Sequence, residues 1–177
     1  AQAAGAPPQG LMAPHIDFAR GGPAYAWAYQ ALGECAPPDL IVGILVGAFV
    51  FVADLARALS SEGLPLEIEF LWLRSYDGAR DGGAVHTRVA PSQAVAGRHV
   101  LLADGVLDRG ATLVMAKSLL SEAGAASVVT AVAIDKRRAD ALLVAEHAAF
   151  SHVEGFVVGY GMDDGETGRA LPHIARI

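Results

Sequence analysis

Two carboxylates four residues apart, Asp104 and Asp108, are followed at once by Arg109, Gly110, Ala111 and Thr112. In a loop ahead of a helix, these residue types suit a phosphorylated sugar. The first backbone N–H groups of a helix lack intrahelical partners and lie at the positive end of its dipole, so a small glycine-containing turn there cradles a phosphate. Thr112 adds a hydroxyl and Arg109 a cation. The aspartates sit poorly beside a phosphate unless sugar hydroxyls, a protonated base or a divalent cation offset them.

Three more stretches carry candidate chemistry. Leu45-Val46-Gly47-Ala48 is a turn between a predicted strand, Asp39 to Gly47, and a predicted helix over about 49–60. Lys136, one of only two lysines, opens a Lys-Arg-Arg run at the end of a β-branched strand from Ser127 to Ile134; such a run is usually a solvated turn. Finally, Phe156-Val157-Val158-Gly159-Tyr160-Gly161-Met162-Asp163 puts an aromatic beside valines and ends on a carboxylate, with Arg169 following. Read from the residues alone, Phe156 is more often core than stacking platform, and Asp163-Asp164 more often a solvated turn than a metal site.

The elements that must position these groups alternate. An apolar run from Val100 suits a buried parallel strand, and 111–124 reads as a helix with Leu113, Ala116, Leu119 and Leu120 at helical spacing and Gly124 as its stop. Leu66 to Tyr76 reads as a strand, Thr87 to Ala90 as a short return, and Pro23 to Gly33 as a helix packing Tyr25, Trp27 and Tyr29 on the sheet. The expected fold class is α/β: a single domain with a twisted, mainly parallel β-sheet flanked by helices. Ligands of such sheets bind beyond the carboxyl ends of the strands, where every candidate falls.

Composition narrows the function. A 177-residue chain with 53% hydrophobic and 18% charged residues is long and apolar enough to bury a core. Its net charge of -6 excludes a general nucleic-acid or membrane-surface binder, which needs basic patches. Cys35 is the only cysteine, so no intrachain disulfide exists and a reducing, cytoplasmic compartment is expected. No basic segment with an apolar core opens the chain, and Leu40 to Ala53 is too short for a comfortable membrane span. Residues 1–22, rich in Ala, Pro and Gly, read as a flexible lead-in to a domain over 23–177. The six histidines are scattered, without zinc-site spacing.

Two of these motifs together resemble the hypoxanthine-guanine group of the phosphoribosyltransferases that use phosphoribosyl pyrophosphate (PRPP). Leu101 to Thr112 is similar to its strand, paired acids, two apolar residues, Asp, x, Gly, x, Thr; Phe156 to Asp163 is similar to its Phe/Tyr-Val-x-Gly-Tyr/Phe-x-Met/Leu-Asp run. The resemblance spans roughly residues 38–177. It implies that Asp108 is the catalytic carboxylate facing the purine imidazole nitrogen, that Asp104 binds ribose hydroxyls, and that the turn from Asp108 to Thr112 holds the 5′-phosphate. It also implies that Val46 and Gly47 meet pyrophosphate through backbone amides and Arg169 through its side chain. Lys136 would donate to a 6-oxopurine, Phe156 stack on it and the Val157 backbone meet its edge. Asp163, with Asp104, would hold Mg2+, and Ser75-Tyr76 would begin a lid.

The implied activity is purine salvage, PRPP plus hypoxanthine or guanine giving IMP or GMP and pyrophosphate. The implied partners are these small molecules and copies of the chain, as dimer or tetramer. The chain departs from the pattern at three places: Gly105 stands where the second acid belongs, Arg109 where Thr is common, and Val46 where some members carry Lys. Weaker PRPP binding or slower turnover is expected from Gly105. A PRPP- or nucleotide-binding sensor without turnover, and an α/β scaffold with relic motifs, remain the alternatives.

Overall fold

Apolar runs with no polar face form the middle of the sheet because helices and loops cover both of its sides. The computed structural model describes residues 10–11, 37–64, 66–75, 85–165 and 167–177. In chain order the elements are β1 (Gly10–Leu11), β2 (Leu40–Leu45), α1 (Phe49–Ser61), β3 (Glu67–Ser75), β4 (Val85–Val89), a 3-10 turn (Gln93–Val95), β5 (His99–Leu107), α2 (Ala111–Glu122), β6 (Ser127–Asp135), β7 (His147–Ser151), β8 (Val157–Val158) and β9 (Ile174–Arg176). Six strands pair in the order β4-β3-β2-β5-β6-β7, parallel except for the antiparallel β3–β4 hairpin. A small antiparallel sheet, β1-β9-β8, stands apart.

Side-chain alternation splits the core into two layers. On one face, Ile41, Leu101, Ala103, Ala131 and Ala133 meet Phe51, Val52, Leu55 and Leu59 of α1, together with Val157, Tyr160, Met162 and Ile174. The other face presents Leu40, Val42, Leu71, Val100, Leu102 and Val132 to Leu113, Ala116 and Leu120 of α2. The first layer therefore locks the segment bearing the Phe156–Asp163 motif onto the sheet.

The α/β class and the order of the central elements agree with the sequence reading, and the differences have identifiable causes. β2 stops at Leu45, two residues short of Gly47. β5 runs on through Asp104 and Gly105 to Leu107, because pairing with β6 continues to Leu107↔Asp135; Asp104 therefore belongs to a strand rather than a loop. The returning strand starts at Val85 rather than Thr87. β7, β8 and β9 were not anticipated: His-Ala-Ala-Phe-Ser has no two-residue period, and two- or three-residue strands exist only through their partners. Gly10 and Leu11, within the stretch read as a lead-in, pair with β9. The helix expected over residues 23–33 lies outside the described residues. No helix among the described residues is long and apolar enough to cross a membrane.

Candidate active site

β2 continues to β3 on one side of the sheet, while β5 pairs on its other side. The crevice outside the carboxyl ends of β2 and β5 is thus a topological switch point, where open α/β sheets bind ligands. The turn after β2, the 104–112 segment of β5 and its turn, and Lys136 after β6 all emerge there.

Both helices that start at this end lack side-chain caps. The N-cap of α2 is Gly110 and that of α1 is Ala48, neither with a capping hydrogen bond, and neither helix has an acidic residue in its first turn. Their positive ends are left for an external anion. Gly110 has φ of +87°, and a Cβ there would lie 2.9 Å from Leu107 Cδ1, so only glycine makes this turn.

Two loops and β5 meet at the carbonyl of Gly47. A Cβ on Gly105 would stand 3.0 Å from Gly47 O and 3.1 Å from Met162 Cγ. Gly161, with φ of +99°, abuts the same oxygen. The space of the missing second acid is therefore filled by the turn that carries Val46 and Gly47, a packing that the sequence did not disclose. A buried hydrogen bond from Tyr160 Oη to Asp54 Oδ2 ties α1 to the C-terminal loop, and Arg57 pairs with the same carboxylate.

Asp108 and Lys136, 28 residues apart, form an ion pair at 2.7 Å, and Lys136 Nζ lies 5.9 Å from the centroid of the Phe156 ring. Phe156 is 40% exposed, whereas Tyr160 in the same motif is 5% exposed, so Phe156 offers an open ring and Tyr160 belongs to the core. The Ile177 N–H donates to Phe156 O at 2.9 Å. Antiparallel alternation then turns the N–H and C=O of Val157 away from β9, towards the open edge of β8. Arg138 reaches the other oxygen of Asp108 at 3.2 Å.

Asp104 is partly buried and accepts from the Gly105 N–H at 2.7 Å. Loss of water around its carboxylate lifts its pKa to about 7, with the Gly105 bond opposing. Asp163 pairs with Arg169 at 2.8 Å, and Arg169 also donates to Gly161 O at 2.9 Å. Among the described residues no three metal-ligating side chains cluster. Mg2+ is commonly held by one or two carboxylates plus substrate phosphates, so Asp104 and Asp163 fit an ion that arrives with its phosphate ligand and not a closed protein cage.

The structure thus gathers Val46, Gly47, Asp104, Gly105 and Asp108 to Thr112 at the strand ends, Lys136 with Asp108 and Phe156, and Asp163 with Arg169. Ser75 ends β3, while Tyr76 lies outside the described residues. Sequence reasoning missed Arg138 and Asp140. Both stand beside Lys136 in a run that looks like a solvated turn, yet Arg138 bonds Asp140 Oδ1 at 2.8 Å and Arg109 reaches Asp140 Oδ2 at 3.2 Å. Opposite charges two residues apart, Arg138 and Asp140, were the one available signal.

The phosphoribosyl transferase domain family matches residues 24–164. The hypoxanthine-guanine phosphoribosyltransferase of Streptococcus pneumoniae is 34% identical over 137 residues, 76% of this chain and 74% of that protein. That of Aquifex aeolicus is 34% identical over 77% of this chain and 76% of that protein. The Trypanosoma cruzi hypoxanthine phosphoribosyltransferase in complex with the product IMP superposes with a TM-score of 0.73 at 27% identity, covering 87% of this chain and 81% of that one. By these likenesses, the chain belongs to the hypoxanthine-guanine phosphoribosyltransferase family.

Proposed function

We propose that the protein transfers the 5-phosphoribosyl group of PRPP to a 6-oxopurine, hypoxanthine or guanine, giving IMP or GMP and pyrophosphate. The observation that carries this reading is the Asp108–Lys136 pair beside the open Phe156 ring, one turn from the uncapped end of α2.

A purine nitrogen forms its bond to the anomeric carbon as the bond to pyrophosphate breaks, through an oxocarbenium-like state. The protein must align two substrates and stabilise the leaving anion. Phe156 stacks on the base while the Lys136 ammonium donates to its exocyclic oxygen; the amino group of adenine cannot accept that bond. Asp108 accepts from, or takes the proton off, the imidazole nitrogen of the purine. The N–H groups of residues 109–112, with the Thr112 hydroxyl, hold the 5′-phosphate, and Asp104 holds ribose hydroxyls. Backbone amides around Val46 and Gly47, with Arg169, receive pyrophosphate. Asp163 and Asp104 would hold Mg2+, which would supply charge neutralisation for the leaving group. A cytoplasmic dimer or tetramer is the assembly we expect.

The test is release of pyrophosphate from PRPP and Mg2+ with hypoxanthine, guanine, xanthine or adenine. Turnover with a 6-oxopurine and none with adenine is expected. Silence with every base, or a preference for adenine, overturns the reading.

A further inference from the structure

Arg109 occupies the second position of the phosphate turn, where a small hydroxyl side chain is common in the family pattern. Its guanidinium, however, is already engaged: Arg109 Nε lies 3.2 Å from Asp140 Oδ2, on the loop that follows Lys136. The backbones are fastened at the same place, since the Leu142 N–H donates to Arg109 O at 2.8 Å. Asp140 also binds Arg138, whose Nε lies 2.8 Å from Oδ1 and which in turn reaches Asp108. Charges therefore alternate without a break from the phosphate turn to the base platform: Arg109, Asp140, Arg138, Asp108, Lys136.

One guanidinium in this chain has two anionic claimants, the Asp140 carboxylate already on it and the dianionic phosphate that the turn is built to hold. We propose that Asp140 is a positioning residue that holds the Arg109 guanidinium at the rim as an internal competitor for the ligand's 5′-phosphate. This rests on the transferase reading of the site. Asp140 remains ionised across the working range, because Arg138 first and Arg109 further down pull its pKa to about 2, so the competition does not lapse near neutral pH. The partners are both about half exposed, so the contact exchanges readily and its removal changes affinity modestly.

The experiment is calorimetric titration with IMP, and with inosine, which lacks the phosphate. The proteins are the native chain, Asp140→Asn, Arg109→Thr and the double variant, each checked for an unchanged thermal unfolding profile. Asp140→Asn is expected to tighten IMP about two- to fivefold, the range open to an exposed ion pair, and to leave inosine unchanged. In the Arg109→Thr background the same change should do nothing. The background separates a specific contact from the mere loss of a negative charge near an anion, which would act with or without Arg109. IMP binding that Asp140→Asn leaves unaltered or weakens, or a gain that persists without Arg109, overturns the proposal while leaving the transferase reading intact. A native protein that binds neither IMP nor PRPP removes both.

Discussion

Replacing Gly105 by alanine separates what the sequence pattern suggests from what the packing allows. By pattern, position 105 lacks an acid, and a side chain there ought to restore function. By structure, the position is closed. A Cβ would approach the Gly47 carbonyl oxygen to 3.0 Å where ordinary contact begins at 3.4 Å, a deficit of about 0.4 Å, and would also crowd Met162 Cγ at 3.1 Å. Met162 can yield, but Gly47 O is backbone, and it lies so near Gly161 that a Cβ there would also meet it. Relief must therefore come from the turn of residues 45–48. Overpacking of this kind costs about 1–3 kcal/mol, which lowers Tm by roughly 2–12 °C in a chain of this size. Because the displaced turn is the one assigned to pyrophosphate, KM for PRPP should rise while KM for hypoxanthine stays near its native value. Urea unfolding and steady-state kinetics on Gly105→Ala and Gly105→Asp measure both effects. Native-like stability with an unchanged KM for PRPP in the alanine variant would refute the packing argument. A large gain in activity from Gly105→Asp would show that the carboxylate is missed more than the space is needed.

Three further outcomes follow from the site. Lys136→Gln removes a charge-assisted donor worth about 1.5–3 kcal/mol, so kcat/KM for hypoxanthine should fall about 10- to 150-fold, as initial rates will show. Asp104 has its pKa raised to about 7, so its carboxylate is protonated below that pH; PRPP binding that uses the ionised form should weaken as pH falls through 7 and level off above it. Equilibrium titrations from pH 5.5 to 8.5 will show this step, and its persistence in Asp104→Asn would refute the assignment. His147, whose Nε2 is buried without a hydrogen-bond partner among the described residues, has its pKa lowered by burial, with nearby Glu146 opposing. Above the ordinary value of 6.5 both folded and unfolded chains are neutral there; as pH falls below it the unfolded chain takes the proton first, so stability declines. Urea unfolding at pH 5 to 7.5 checks the decline, which His147→Gln should reduce.

By itself the sequence determined the alternation of strands and helices, because buried strands and amphipathic helices write their periods locally. It marked the turn assigned to the phosphate as well: glycine stands at position 110, where the backbone angle is left-handed, and, having no side chain, it leaves the start of α2 uncapped. Its resemblance to the family also named Asp108, Lys136 and Phe156 one by one, but not that they touch. Only tertiary structure brought Lys136 to Asp108 across adjacent strands, left Phe156 open while burying Tyr160, and extended β5 through Asp104 by pairing with β6. The same holds for Gly105, whose missing side chain reads as a lost ligand in one dimension and as room for the Gly47 carbonyl in three. Contacts between residues far apart in the chain leave no period in the sequence, and a run such as Lys-Arg-Arg-Ala-Asp has the composition of a solvated turn until the fold sets Asp108 and Arg109 against it.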